Sequence, residues 1–232
     1  MKLTALSKAF KEVLEKPAQR KKDRELFLGA ATNGAWSIVK ELTEKYPEAV
    51  KWRDEDGATA LHFAATFRNA PLINFLLDHG ADIEAADKKG FRALHHAAQC
   101  AGDDPTAALK ALLARGAEVD AQNNNGTTPL LHAVIRNKPW NVKELVLAGA
   151  DENIANNTGN TALKDAKESR GAAPQIYAAL EQGKAERAHR TAAARKDAEE
   201  RERQDAIREA VDSIGNGTAS DITVMKPFRL AI

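Results

Sequence analysis

The side chains best suited to metal binding or nucleophilic chemistry are His62, His95, His96 and Cys100. His96 and Cys100 stand four residues apart, so a helix would place them on one face. Two candidate ligands do not complete a zinc site. As a nucleophile, Cys100 would need a base and an oxyanion site, and neither pattern is present. His62 and His95 have no acidic or thiol partner at ligand spacing. Phosphate loops, nucleophile elbows, His-Glu-x-x-His helices and dinucleotide fingerprints are absent as well. The expectation is a protein that is not an enzyme, with no catalytic residue, metal or cofactor.

The elements that hold these side chains are copies of one phrase. Gly57-Ala58-Thr59-Ala60-Leu61-His62-Phe63-Ala64-Ala65 returns as Gly90-Phe91-Arg92-Ala93-Leu94-His95-His96-Ala97-Ala98. It returns again from Gly126 to Ala133 and, more worn, from Gly159 to Ala166. Its leucine falls at Leu61, Leu94, Leu130 and Leu163, in steps of 33, 36 and 33 residues. A second marker, Gly80-Ala81, Gly116-Ala117 and Gly149-Ala150, precedes the next phrase glycine by ten residues each time. Self-similarity of this period predicts a stacked solenoid, each copy too small to bury its apolar face alone. Thr59, Thr128 and Thr161 sit where a helix begins and can cap it. The three extra residues of the copy that begins at Gly90 lie within Cys100–Thr106, between its two helices. There Asp104 or Thr106 is placed to cap the second helix, and the insertion either shapes a contact or is neutral.

These residues resemble the ankyrin repeat: a Thr-Pro-Leu-His-like start, an alanine pair, a leucine-rich second helix, then Gly-Ala-Asp and a β-turn. The resemblance implies an all-α ankyrin-repeat solenoid with a charged C-terminal helix. Five repeats follow, at about 22–56, 57–89, 90–125, 126–158 and 159–183. His62 and His95 fall in the family's structural histidine slot. Binding in the family uses the turn tips and the concave face of the first helices. Carried over, the tips give Glu55, Asp56, Ala58, Lys88, Lys89, Phe91, Asn124, Asn125 and Thr127. The first helices give Thr32, Asn33, Thr66, Phe67, Gln99, Ile135 and Arg136. Phe67, Phe91 and Ile135 are read as apolar contact anchors; the alternative is that each packs on a neighbouring repeat. Glu152 stands where its neighbours have Ile83 and Val119, and in the fifth repeat Lys164 replaces the histidine, as if that end turned a face to water.

The ends differ from the middle. Leu3, Leu6, Phe10, Val13 and Leu14 mark one face of a helix over 1–21, stopped at Pro17 and followed by a basic link, Arg20–Lys22. It reads as a cap on the first repeat, or else as a basic membrane or partner helix. Residues 184–213 alternate alanine and charge, a solvated helix with Ile207, Val211 and Ile214 at its far end. Gly215 is expected to break it, and 214–232 form an apolar tail that folds back, docks on a partner or is disordered.

The net charge is +1 over 232 residues, which points to neither nucleic acid nor a membrane surface. A lone cysteine and the lack of a signal-like N-terminus fit a cytoplasmic protein. The function expected is non-catalytic binding of another protein through the groove and tips. The alternative is a bacterial-type effector or toxin-neutralising protein whose C-terminal helix and tail carry the activity.

Overall fold

The computed structural model describes residues 19–102, 104–168 and 173–216. The helix expected over 1–21 and most of the apolar tail lie outside these residues. The chain divides into two units, Met1–Arg187 and Ala188–Ile232.

In the first unit, helices come in pairs. The first pair is α1 (19–33) and α2 (Trp36–Lys45), followed by a 3-10 turn over Pro47–Lys51. Then come α3 (Ala60–Thr66) with α4 (Ala70–Asp78) and α5 (Ala93–Ala98) with α6 (Ala107–Ala114). Next are α7 (Pro129–Ile135) with α8 (Pro139–Leu147) and α9 (Ala162–Glu168) with α10 (Ala173–Asn216). First helices touch first helices in the order α3, α5, α7, α9; second helices touch in the order α4, α6, α8. One continuous core results, from Phe27 through Leu61, Leu94 and Leu130 to Ile176 and Leu180. The alanine pairs Ala64-Ala65 and Ala97-Ala98 are fully buried, because a larger side chain would hold the stacked first helices apart. Among the described residues no helix is long and apolar enough to cross a membrane.

Local chemistry starts each helix pair. Thr128 Oγ1 accepts the Leu131 N–H at 3.2 Å, and Thr161 Oγ1 accepts that of Lys164 at 3.1 Å. Thr59 begins α3 in a capping box closed by His62. The insertion behaves otherwise than expected. Neither Asp104 nor Thr106 caps α6 among the described residues; the Thr106 hydroxyl turns back to the Asp104 carboxylate at 3.4 Å.

Gly90 is required by both backbone and neighbour. Its φ is +78°, and a Cβ there would sit 2.6 Å from the Asn124 backbone nitrogen of the next turn. Gly90→Ala is expected to lower the free energy of unfolding by about 2 kcal/mol, through left-handed strain and a backbone clash. Gly80→Ala shares the strained φ (+83°) but meets nothing within 4 Å, so about 1 kcal/mol is expected in urea melts. Equal losses would show that the neighbouring turn contributes nothing.

Three expectations about the ends need correction. Arg20–Lys22 are not a link; they lie in the first turn described for α1, continuous with Phe27. The charged helix does not begin at Lys184, nor does it stop before Gly215. α10 runs unbroken from Ala173 through Gly183 to Asn216, so the second helix of the fifth repeat and the charged segment are one element. Gly183 is tolerated within it because a Cβ there would fall 2.9 Å from Val146 and 3.0 Å from the Lys143 carbonyl, so its absence lets α10 seat on α8. Glu152, for its part, does not face water: it is largely covered and pairs with Lys184 of α10. The second unit continues α10 with almost wholly exposed charge, including the Arg195–Glu199 pair at 3.1 Å.

Candidate protein-binding surface

The turn tips are built by one device used four times. Asp54, Asp87, Asn123 and Asn156 each lie three residues before a phrase glycine. Each turns a side-chain oxygen onto two backbone N–H groups of its own turn. Asp87 Oδ1 accepts from Lys89 at 2.8 Å and Phe91 at 2.9 Å; Asn123 Oδ1 accepts from Asn125 at 2.9 Å and Thr127 at 3.0 Å. The turns are then tied together. Lys88 N–H donates to the Asp56 carbonyl at 2.9 Å, Asn124 to Lys89 at 3.1 Å and Asn157 to Asn125 at 3.0 Å. These four acceptors are absent from the expected site residues, although their signal is in the sequence: an Asp or Asn at the same offset before every phrase glycine.

The histidines join turns to helices. His62 Nδ1 accepts the Thr59 N–H at 3.0 Å, and its Nε2–H donates to the Phe91 carbonyl at 3.0 Å. His95 repeats the pattern one repeat on, taking the Arg92 N–H at 3.2 Å and donating to the Thr127 carbonyl at 3.0 Å. His132, displaced by one residue, donates instead to the His95 carbonyl at 3.2 Å. Burial pushes all three below the usual imidazole value, His95 to about 4. At neutral pH they are uncharged, each with one nitrogen to donate and one to accept.

His96 is different. Burial is the main reason its pKa falls to about 4, with His62 adding to it. Its Nδ1 meets Thr66 Oγ1 at 3.3 Å, but its buried Nε2 has no hydrogen-bond partner among the described residues; Asp87 lies 3.8 Å away. Cys100 does not share a helix face with His96, because α5 ends at Ala98; its thiol points at the carbonyls of Ala65, Thr66 and His96, each at 3.4 Å. Burial raises its pKa, the opposite of what a nucleophile requires.

The expected binding residues divide by position. Glu55, Asp56, Lys88, Lys89, Asn124 and Asn125 are exposed along the tips. Phe67 and Ile135 are about half exposed, and Arg136 is exposed beside Ile135. Thr66 and Gln99 are half-buried. Phe91 is half-buried too, and it does not stand out as a free apolar side chain. Its ring packs against His95, His96 and His132 with centroids 5.3–5.8 Å apart. Thr127 is buried, its carbonyl used by His95.

Comparison with known proteins agrees with this architecture. The family profile described as "Ankyrin repeats (3 copies)" matches residues 27–123 and 99–184. The B-cell lymphoma 3 protein homolog of Mus musculus is 34% identical over 135 residues, covering 56% of this chain and 29% of that protein. The Neurogenic locus notch homolog protein 2 of Homo sapiens is 34% identical over 134 residues, 57% of this chain and 5% of that protein. The RelA-associated inhibitor of Mus musculus is 33% identical over 106 residues, 45% of this chain and 12% of that protein. The chain thus spans less than a third of the length of these relatives. With histidine-joined turns, paired helices stacked like to like, and a profile match from 27 to 184, the chain belongs to the ankyrin-repeat family.

Proposed function

We propose that the chain is a non-catalytic module that holds a protein partner against its turn tips and the C-terminal ends of its first helices. The observation that carries this reading is the pair Phe67 and Ile135, 52% and 54% exposed at the ends of α3 and α7. Such side chains on a frame braced by buried histidines are suited to be contact anchors. The tips add charge of both signs: Glu55 and Asp56 on one turn, Lys88 and Lys89 on the next. A frame already hydrogen-bonded from turn to turn loses little further freedom on association. The family is typically non-catalytic, and one relative is named for its association with RelA.

The test is a double substitution. Phe67→Ala with Ile135→Ala is expected to weaken a captured partner by about tenfold or more while leaving the thermal midpoint nearly unchanged. Phe91 is left intact, because its ring packs among the histidines. Undiminished affinity would remove this surface from the function.

A further inference from the structure

Trp140 has the highest exposure of any large apolar side chain among the described residues, at 68%. It is the second residue of α8, and the next residue, Asn141, is fully buried. The Asn141 amide donates to the carbonyls of Ala97, Ala98 and Cys100 at 3.3, 3.0 and 3.1 Å. An indole in solvent is therefore mounted on an anchored turn.

A groove lies on either side of it. One, about 290 Å³, runs between the insertion of the third repeat (Cys100, Ala101, Gly102, Pro105) and the start of α8. The other, about 320 Å³, runs between α8 and the first turns of α10. Beside the first the Arg68 guanidinium donates to the Ala101 carbonyl, and beside the second Gly183 seats α10 on α8. Among the described residues no acidic side chain lines either groove. Lys138 lines the first and Lys143 the second, with Asn137, Gln175 and Gln182 among the other polar groups. In the second groove Lys143 is paired with Glu186 at 2.9 Å; in the first, Lys138 is the cation among the described lining residues. Cations, amides and an indole N–H suit an occupant rich in acceptors: an extended backbone, whose carbonyls are unpaired, bearing a carboxylate. A flat exposed indole suits a proline or small apolar residue.

We propose that Trp140 and its two grooves form a second docking face, for an extended acidic segment of another protein. A proline or small apolar side chain lies on the indole and a carboxylate reaches Lys138. None of the tip and first-helix residues proposed as contacts lines either groove, so this face is separate from the tip and first-helix surface.

The test uses the full ¹⁵N-labelled chain and the indole N–H resonance of Trp140, assigned with W140F. The probes are a short peptide of glutamate, proline and alanine, its lysine-for-glutamate counterpart, a single-stranded oligonucleotide and anionic phospholipid vesicles. The acidic peptide is expected to shift Trp140 saturably, and the lysine peptide not to. W140A, read by labelled-peptide anisotropy, should weaken binding by about tenfold, and Phe67→Ala with Ile135→Ala should leave it unchanged. K138E supplies the same reading, a large loss, should W140A lower the thermal midpoint. No shift with the acidic peptide, equal binding of both peptides, a response only to oligonucleotide or vesicles, or full affinity in K138E would overturn the proposal.

Discussion

Replacing Asn141 by leucine is expected to lower the free energy of unfolding by about 3 kcal/mol, read as a shifted urea midpoint at constant slope. The carbonyls of Ala97, Ala98 and Cys100 lie at and just beyond the end of α5, where helix carbonyls lose their own partners, and only that of Ala97 also accepts backbone N–H groups, from Gln99 and Cys100, among the bonds of the described residues. A single buried amide satisfies all three across more than forty residues of chain. Leucine keeps the volume and removes the donor, leaving the Ala98 and Cys100 carbonyls without the amide that binds them. It also removes Asn141 Oδ1, which has no hydrogen-bond partner among the described residues, and that gain limits the loss. Asn141→Asp is expected to be worse, about 3–5 kcal/mol, because it sets an uncompensated carboxylate against three carbonyl oxygens. Both variants landing within ~0.5 kcal/mol of the parent would mean the clamp is not structural.

The second large effect is acid sensitivity of the repeat stack. His62, His95, His96 and His132 all titrate below the ordinary value in the fold, principally because they are buried. The unfolded chain therefore binds more protons than the folded one between about pH 6.5 and about pH 4. Stability is complete above the upper limit and falls as the pH drops through that window. For His95, fully buried and lowered to about 4, the full descent corresponds to about 3 kcal/mol. Unfolding midpoints at pH 7, 6 and 5 should fall together, and His95→Gln should start less stable yet show a shallower pH slope. An unchanged slope in that variant would clear His95 of the effect.

Much of the fold could be read from residues in order, for a local reason. Each repeat sees a neighbour like itself, so the leucine period, the capping threonines and the turn glycines recur wherever the same contact recurs. The turn acceptors obey the same rule and are visible at Asp54, Asp87, Asn123 and Asn156. Departures from the repeat are another matter. Glu152 looks like a residue turned to water until Lys184 covers it, and Gly183 looks like a boundary until α8 lies beneath it. Phe91 looks like an exposed anchor until three histidine rings close around it.

By itself, then, the chain's order of residues determined the repeating unit and that it recurs several times, since those depend on spacing within one copy and against a similar next copy. Only the tertiary structure decided which departures are covered and which are open: Asn141 sealed in, Trp140 left out, Glu152 paired, α10 continuous. Burial of a side chain is set by whatever arrives from a distant part of the chain, and a one-dimensional pattern holds no record of that arrival when the residue breaks the pattern.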